Sequence, residues 1–246
     1  MPTKTIHIPM ADGRADVFAA FPEHRGPVPG VLMYPDAFGI RPVLRDMAEK
    51  LAAHGYYVLV PNIFYRHGPA PLVALPAYIG EEARPDIVDR LMPLVHQHTA
   101  ERTGRDADAY LRFLAGQPEV KDGPIGVVGY CIGGLLATRT AAHSSRVAAV
   151  AAFHGPVGTD GTDELAKITG RVHFGHAASD LTPQALNELN TALEAARLDY
   201  TSEIYPGTIH GFTMADTDAF DAVGSERHWE HLLALLALLD SALTST

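Results

Sequence analysis

The chain has 246 residues, 47% of them hydrophobic, enough to bury one sizeable core, and a formal net charge of −10 at pH 7. With that charge and no basic stripe, nucleic acid and anionic membrane surfaces are not expected partners, and the longest apolar runs, 147–153 and 232–239, are too short to span a bilayer. The single cysteine excludes an intramolecular disulfide, and the N-terminus carries no apolar signal core, so a reducing cytoplasm is the expected compartment.

In chain order, 3–8 and 14–20 predict two antiparallel strands around a turn at Asp12 and Gly13. Residues 30–34 form a short apolar strand stopped by Pro35. Val43, Met47 and Leu51 share one face of a helix predicted over 42–54. A strand over 56–60 ends at Pro61. Segment 62–84, rich in proline and alanine, has no regular pattern and is expected to be a lid or substrate-binding loop. Helices follow over 85–97 and 102–115, then a strand over 125–128, a helix over 135–142 and a buried strand over 147–154. Residues 172–175 and 201–205 read as strands. Thr182 and Pro183 open a helix running to Arg197, and a last helix is predicted over 225–243. Strands alternating with helices predict one α/β domain over 1–246, its sheet mostly parallel and covered by helices on both faces.

The most informative stretch is Gly129-Tyr130-Cys131-Ile132-Gly133-Gly134, between a strand and a helix. This G-x-C-x-G-G layout is that of a nucleophile elbow with Cys where Ser more often sits. The glycines leave room for a sharp strand-to-helix turn, and the helix N-terminus favours a thiolate at Cys131. The bare pattern also fits a glycine-rich turn around an inert small residue. Further on, Asp180 and His210 each fall in a loop just past a strand, where open α/β sheets build their sites. Alone, Asp180 reads as a helix-capping or solvated carboxylate and His210 as a surface histidine. Together with Cys131 they stand in the order nucleophile, acid, histidine. The N–H of Ile132, following the cysteine, is a candidate oxyanion donor.

Five separated pieces carry a family resemblance. They are the elbow, the stretch from His176 to Asp180, the His210-Gly211-Phe212 triplet, the stretch from Tyr34 to Ile40, and the stretch from Val60 to Arg66. On these residues the chain resembles the dienelactone hydrolases, a cysteine branch of the α/β-hydrolases. The resemblance implies an α/β-hydrolase fold, with Cys131 as nucleophile, His210 as general base and Asp180 as the residue that orients the histidine. It implies the N–H of Ala37 as second oxyanion donor, and substrate contacts from Phe38, Tyr65, Arg66, Tyr130, Phe212 and Met214. An ester or lactone would be cleaved through an acyl-enzyme, by a monomer or homodimer with no cofactor. The alternative function is a small-molecule binder or thiol sensor on the same fold. The sensor lacks a resolving cysteine, and the binder has no need for Asp180 and His210 in triad order.

Two positions depart from the family pattern. Asp36 stands where these enzymes typically carry a glutamate that contacts the thiol. It either reaches Cys131 or caps the local turn. Met214 stands where the lactone hydrolases place a carboxylate-binding arginine, leaving Arg66 or Arg84 as the alternative cation. No metal site is expected. His96 and His98 would face apart on a helix, and His173 and His176 fall on a strand and its exit.

Overall fold

β1 (Thr3–Met10) and β2 (Gly13–Ala20) form the expected hairpin, paired antiparallel from Thr3 with Ala20 to Met10 with Gly13. The apolar runs β3 (Gly30–Tyr34), β4 (Tyr57–Pro61), β5 (Ile125–Tyr130), β6 (Val147–Phe153), β7 (Arg171–Ala177) and β8 (Tyr200–Tyr205) join them in an eight-stranded sheet. The strand order is β1-β2-β4-β3-β5-β6-β7-β8. Only the β1–β2 and β2–β4 pairs are antiparallel. The structure, a computed structural model, describes residues 1–23, 26–156 and 162–241.

Central strands buried on both sides need a cover on each face. On one face α1 (Pro42–Ala53), α7 (Ala222–Leu236) and α8 (Leu238–Ser241) pack Leu44, Leu51, Leu232, Leu236 and Leu239 against Met33, Val128 and Tyr130. On the other, α3 (Ala100–Ala115), α4 (Ile132–His143) and α6 (Pro183–Ala195) pack Tyr110, Leu114, Leu136 and Leu193 against Leu32, Val127 and Val150. This is the α/β-hydrolase architecture that the sequence implied. α2 (Arg84–Val95) adds Ile87 and Leu91 to the second cluster, and α5 (Thr162–Leu165) is a single turn that the sequence did not indicate. Among the described residues no helix is long and apolar enough to cross a membrane.

Side-chain caps explain where several helices begin. Thr99 accepts from the Arg102 N–H (3.2 Å), so α3 starts two residues before the predicted Arg102. Asp221 accepts from the Gly224 N–H (2.6 Å) and starts α7 ahead of the predicted Ser225. Of the predicted last helix, 242–243 lie outside the described residues. Segment 62–84 carries no regular strand and no helix before Arg84, but it is not a free flap. Asn62 Nδ2 donates to Asp16 Oδ1 (2.7 Å), Ala70 N to Asp16 Oδ2 (2.8 Å) and Ile79 N to Asp216 O (2.8 Å), while Arg84 pairs with Asp218.

The core also encloses His154, His173 and His228, at most 4% exposed. Burial disfavours the imidazolium, pushing His173 and His228 down to about 3 and His154 well below the ordinary range. These folded-state values lie below the unfolded value near 6.5. Their stabilising contribution is therefore complete above that pH and is lost as pH falls toward the folded values. Each group costs about 1.4 kcal/mol per pH unit below about 6, so together about 4 kcal/mol per unit. Urea unfolding at pH 7, 6 and 5 is expected to show that steep decline. A flat profile would mean that these histidines accept protons within the fold.

Candidate active site

The end of β5 and the start of α4 are built for one sharp turn. A Cβ on Gly129 would lie 1.8 Å from Gly133 O, and one on Gly133 would lie 2.5 Å from Pro35 O. Only glycine permits this approach of strand, helix and the loop after β3. Between them Cys131 adopts φ +54°, a left-handed conformation that a non-glycine residue holds only when its surroundings enforce it. Here the Cys131 N–H donates to Phe153 O (3.0 Å) and the Cys131 carbonyl accepts from Gly134 N (2.9 Å). The thiol is partly exposed.

His210 and Asp180 come together from the loops after β8 and β7. His210 Nδ1 lies 2.8 Å from Asp180 Oδ2. Ser179 fixes both partners, since its Oγ accepts from the His210 N–H (2.9 Å) and donates to Asp180 Oδ1 (3.1 Å). Burial works against the imidazolium, but the bond to Asp180 and the adjacent Cys131 side chain outweigh it and push the pKa of His210 up to about 10. The structure thus brings the expected cysteine, histidine and aspartate to one place.

Beside them, Ile132 opens α4 with its N–H free of an intrahelical acceptor. The N–H of Ala37 likewise has no acceptor among the described residues. The loop carrying Ala37 is held by Arg41, which is 5% exposed. Its Nη1 and Nη2 donate to Asp36 Oδ1 (2.6 Å) and Oδ2 (2.9 Å), and its Nε donates to Asp216 Oδ2 (2.6 Å). Burial opposes the guanidinium charge, but the two carboxylates outweigh it and keep Arg41 protonated. Asp36 Oδ1 also accepts from the Phe38 N–H (3.0 Å). Of the two expectations for Asp36 the structure favours the second. Its carboxylate is engaged with Arg41 and the turn and makes no hydrogen bond to Cys131.

The dienelactone hydrolase family model matches residues 15–239. The chain belongs to the dienelactone hydrolase family. It is 24% identical over 239 residues to a "Putative carboxymethylenebutenolidase" of Methylorubrum extorquens, covering 92% of this chain and 78% of that protein. It is 26% identical to a Bradyrhizobium protein named "Probable 2-oxo-3-(5-oxofuran-2-ylidene)propanoate lactonase", covering 89% and 87%. The crystal structure of a "Putative Dienelactone Hydrolase" from Klebsiella pneumoniae superposes with a TM-score of 0.82 at 21% identity, covering 96% of this chain and 98% of that one.

Several positions that the dienelactone hydrolase resemblance marked for substrate are enclosed instead. Tyr130, Phe212 and Met214 are at most 1% exposed. Tyr130 points from β5 into the core and its hydroxyl meets His228 Nε2 (3.0 Å), while the Phe212 ring lies 5.0 Å from that of Tyr205. Tyr65 donates to Asp106 Oδ1 (2.9 Å), and Arg66 pairs with Asp106 and Asp12, stacked on the Tyr65 ring. Phe38 is half-buried, with Arg41 over its ring. Arg84 is tied to Asp218.

Sequence reasoning missed three residues at this site. Arg41 carries no motif, and Ser179, though inside the stretch from His176 to Asp180, is given no role by the resemblance. His154, after β6 at φ +38°, packs its ring 5.3 Å from that of His210, with Nε2 2.8 Å from Thr213 Oγ1. A cleft of about 550 Å³ opens beside His210 and Asp180. It is walled by Pro156, Leu181, Ala185, Leu189 and Ala192, with Glu188 and, among the described residues, no Lys or Arg in its lining.

Proposed function

We propose that the protein hydrolyses esters or lactones through a Cys131-His210-Asp180 triad and an acyl-enzyme. The observation that carries this reading is the 2.8 Å bond between His210 Nδ1 and Asp180 Oδ2 beside a cysteine held on a strained elbow. His210 takes the thiol proton and Cys131 attacks the carbonyl carbon. The oxyanion sits against the N–H groups of Ile132 and Ala37. Collapse expels the alkoxide, which His210 protonates, and leaves an acyl thioester. Water, deprotonated by His210, then releases the acid and the thiol. The names of the relatives support lactones within this class. A working thiol calls for a reducing compartment, which we take to be the cytoplasm.

The cleft suggests which acyl groups fit. Its carboxylates are Asp180 and Glu188 and its one cation among the described lining residues is the His210 imidazolium, already paired with Asp180, so a substrate carboxylate entering it would lose water without gaining an unpaired cationic donor. A missing charge-assisted bond costs roughly 1.5–3 kcal/mol, so kcat/KM is expected to favour a neutral methyl ester over its free-acid analogue by at least about tenfold. Glu188→Lys, at the exposed rim, should narrow the ratio. Equal turnover of the two substrates would refute the charge discrimination. Absence of turnover of any activated ester or lactone, untouched by thiol alkylation, would refute the hydrolase reading itself.

A further inference from the structure

His173 sits on β7 with its side chain toward α7, its ring 4.8 Å from that of His231 on α7. Glu203 on β8 completes a cluster in which one donor atom from each residue lies within 4.8 Å of the others. His231 Nδ1 is 2.6 Å and His173 Nε2 3.9 Å from the same oxygen, Glu203 Oε1, which is buried without an aligned hydrogen bond. Arg227 holds the other oxygen, Oε2. His173 Nδ1 lies 2.8 Å from Thr201 Oγ1, a bond that in the Nδ1–H tautomer leaves the Nε2 lone pair free to bind; Nε2 and His231 Nδ1 each lie 3.3 Å from the Tyr205 hydroxyl, a contact that a bound ion would displace. The three residues line a cleft of about 620 Å³ that shares no lining residue with the one at His210.

The geometry points to a binding site for one divalent transition-metal ion, held by His173 Nε2, His231 Nδ1 and Glu203 Oε1. Two imidazoles and a carboxylate suit Zn²⁺ or Ni²⁺ and not the oxygen-seeking Mg²⁺ or Ca²⁺. Metal–ligand bonds of about 2.0–2.2 Å set tetrahedral donor separations of about 3.4 Å. The spacings of 2.6 and 3.9 Å to Glu203 Oε1 bracket that value and every donor pair lies within 4.8 Å, so binding needs side-chain shifts of about an ångström and no backbone rearrangement. Arg171, the arginine among the described lining residues, lies 3.8 Å from Asp199, which offsets its charge. The fourth position would face the cleft and take water. Because His173, Glu203 and His231 come from β7, β8 and α7, the ion would clamp the closing helix to the sheet edge and stabilise the native chain. The site is independent of the hydrolytic reading.

The test uses tag-free, chelator-stripped protein carrying Cys131→Ala, so that the thiol cannot bind metal. ZnCl₂ and NiCl₂ are titrated by calorimetry, with thermal unfolding in parallel. One equivalent is expected to bind and to raise Tm. His231→Gln and Glu203→Gln should each weaken binding about tenfold or more and abolish the Tm rise. In the Cys131 protein, His231→Gln should leave ester turnover unchanged. His231 is 35% exposed, so its loss leaves no core cavity. Absence of saturable binding, or binding that survives both substitutions, would overturn the site.

Discussion

Cys131→Ala is expected to abolish ester and lactone hydrolysis while leaving the fold intact. Alanine keeps the Cβ and the φ of +54°, so the elbow is unchanged and only the sulfur is lost. His210→Ala should cost several orders of magnitude in kcat/KM. Asp180→Asn should cost less, but clearly more than tenfold, because the amide cannot hold the imidazolium as the carboxylate does at 2.8 Å. Members of a triad act as a unit, so His210→Ala combined with Asp180→Asn should be little worse than His210→Ala alone. Steady-state kinetics of the single and double variants check this. Additive losses would reduce Asp180 to a structural partner of the loop.

Arg41→Ala is expected to be the most destabilising substitution near the site. It strands Asp36 and leaves Asp216 without its partner, the first 4% exposed and the second with a side chain 17% exposed. Removing one partner of a buried ion pair costs about 3–5 kcal/mol, a Tm loss of about 6–20 °C for a chain of this size. Arg41→Lys should recover little, since a point charge cannot reach both carboxylates as the guanidinium does. Arg41 also fixes the loop that presents the Ala37 N–H. A misplaced oxyanion donor lowers kcat by up to about 10²–10³-fold, so kcat should fall more than KM rises in protein that stays folded. Thermal unfolding and kinetics on the same preparation separate the two effects. Unchanged stability would mean that the two carboxylates find other partners.

What could be read beforehand was local. The elbow glycines, the cysteine and the loops of Asp180 and His210 announce themselves because each is set by short-range sterics at a strand end. The strands and most helices follow from apolar period and caps. What could not be read depends on pairs far apart in the chain. Nothing near Arg41 announces Asp216, and nothing near His173 announces His231. The burial of Tyr130, Phe212 and Met214, which the resemblance marked for substrate, was not legible for a related reason. Proximity to a motif does not fix which way a side chain points, and on β5 alternation sends Tyr130 into the α7 side of the core. For Asp36 the family pattern left two readings open, and nothing in it announced the ion pair with Arg41, five residues on, that holds the carboxylate at the turn.

Trapping the acyl-enzyme tests the central claim most directly. The protein is mixed with an activated ester in excess, quenched in acid within the first turnovers, and its intact mass and peptide map are read. The account predicts a mass increase equal to the acyl group, located on the peptide that contains Cys131 and absent from Cys131→Ala. Steady turnover with no adduct, or with the acyl group on another residue, would contradict it.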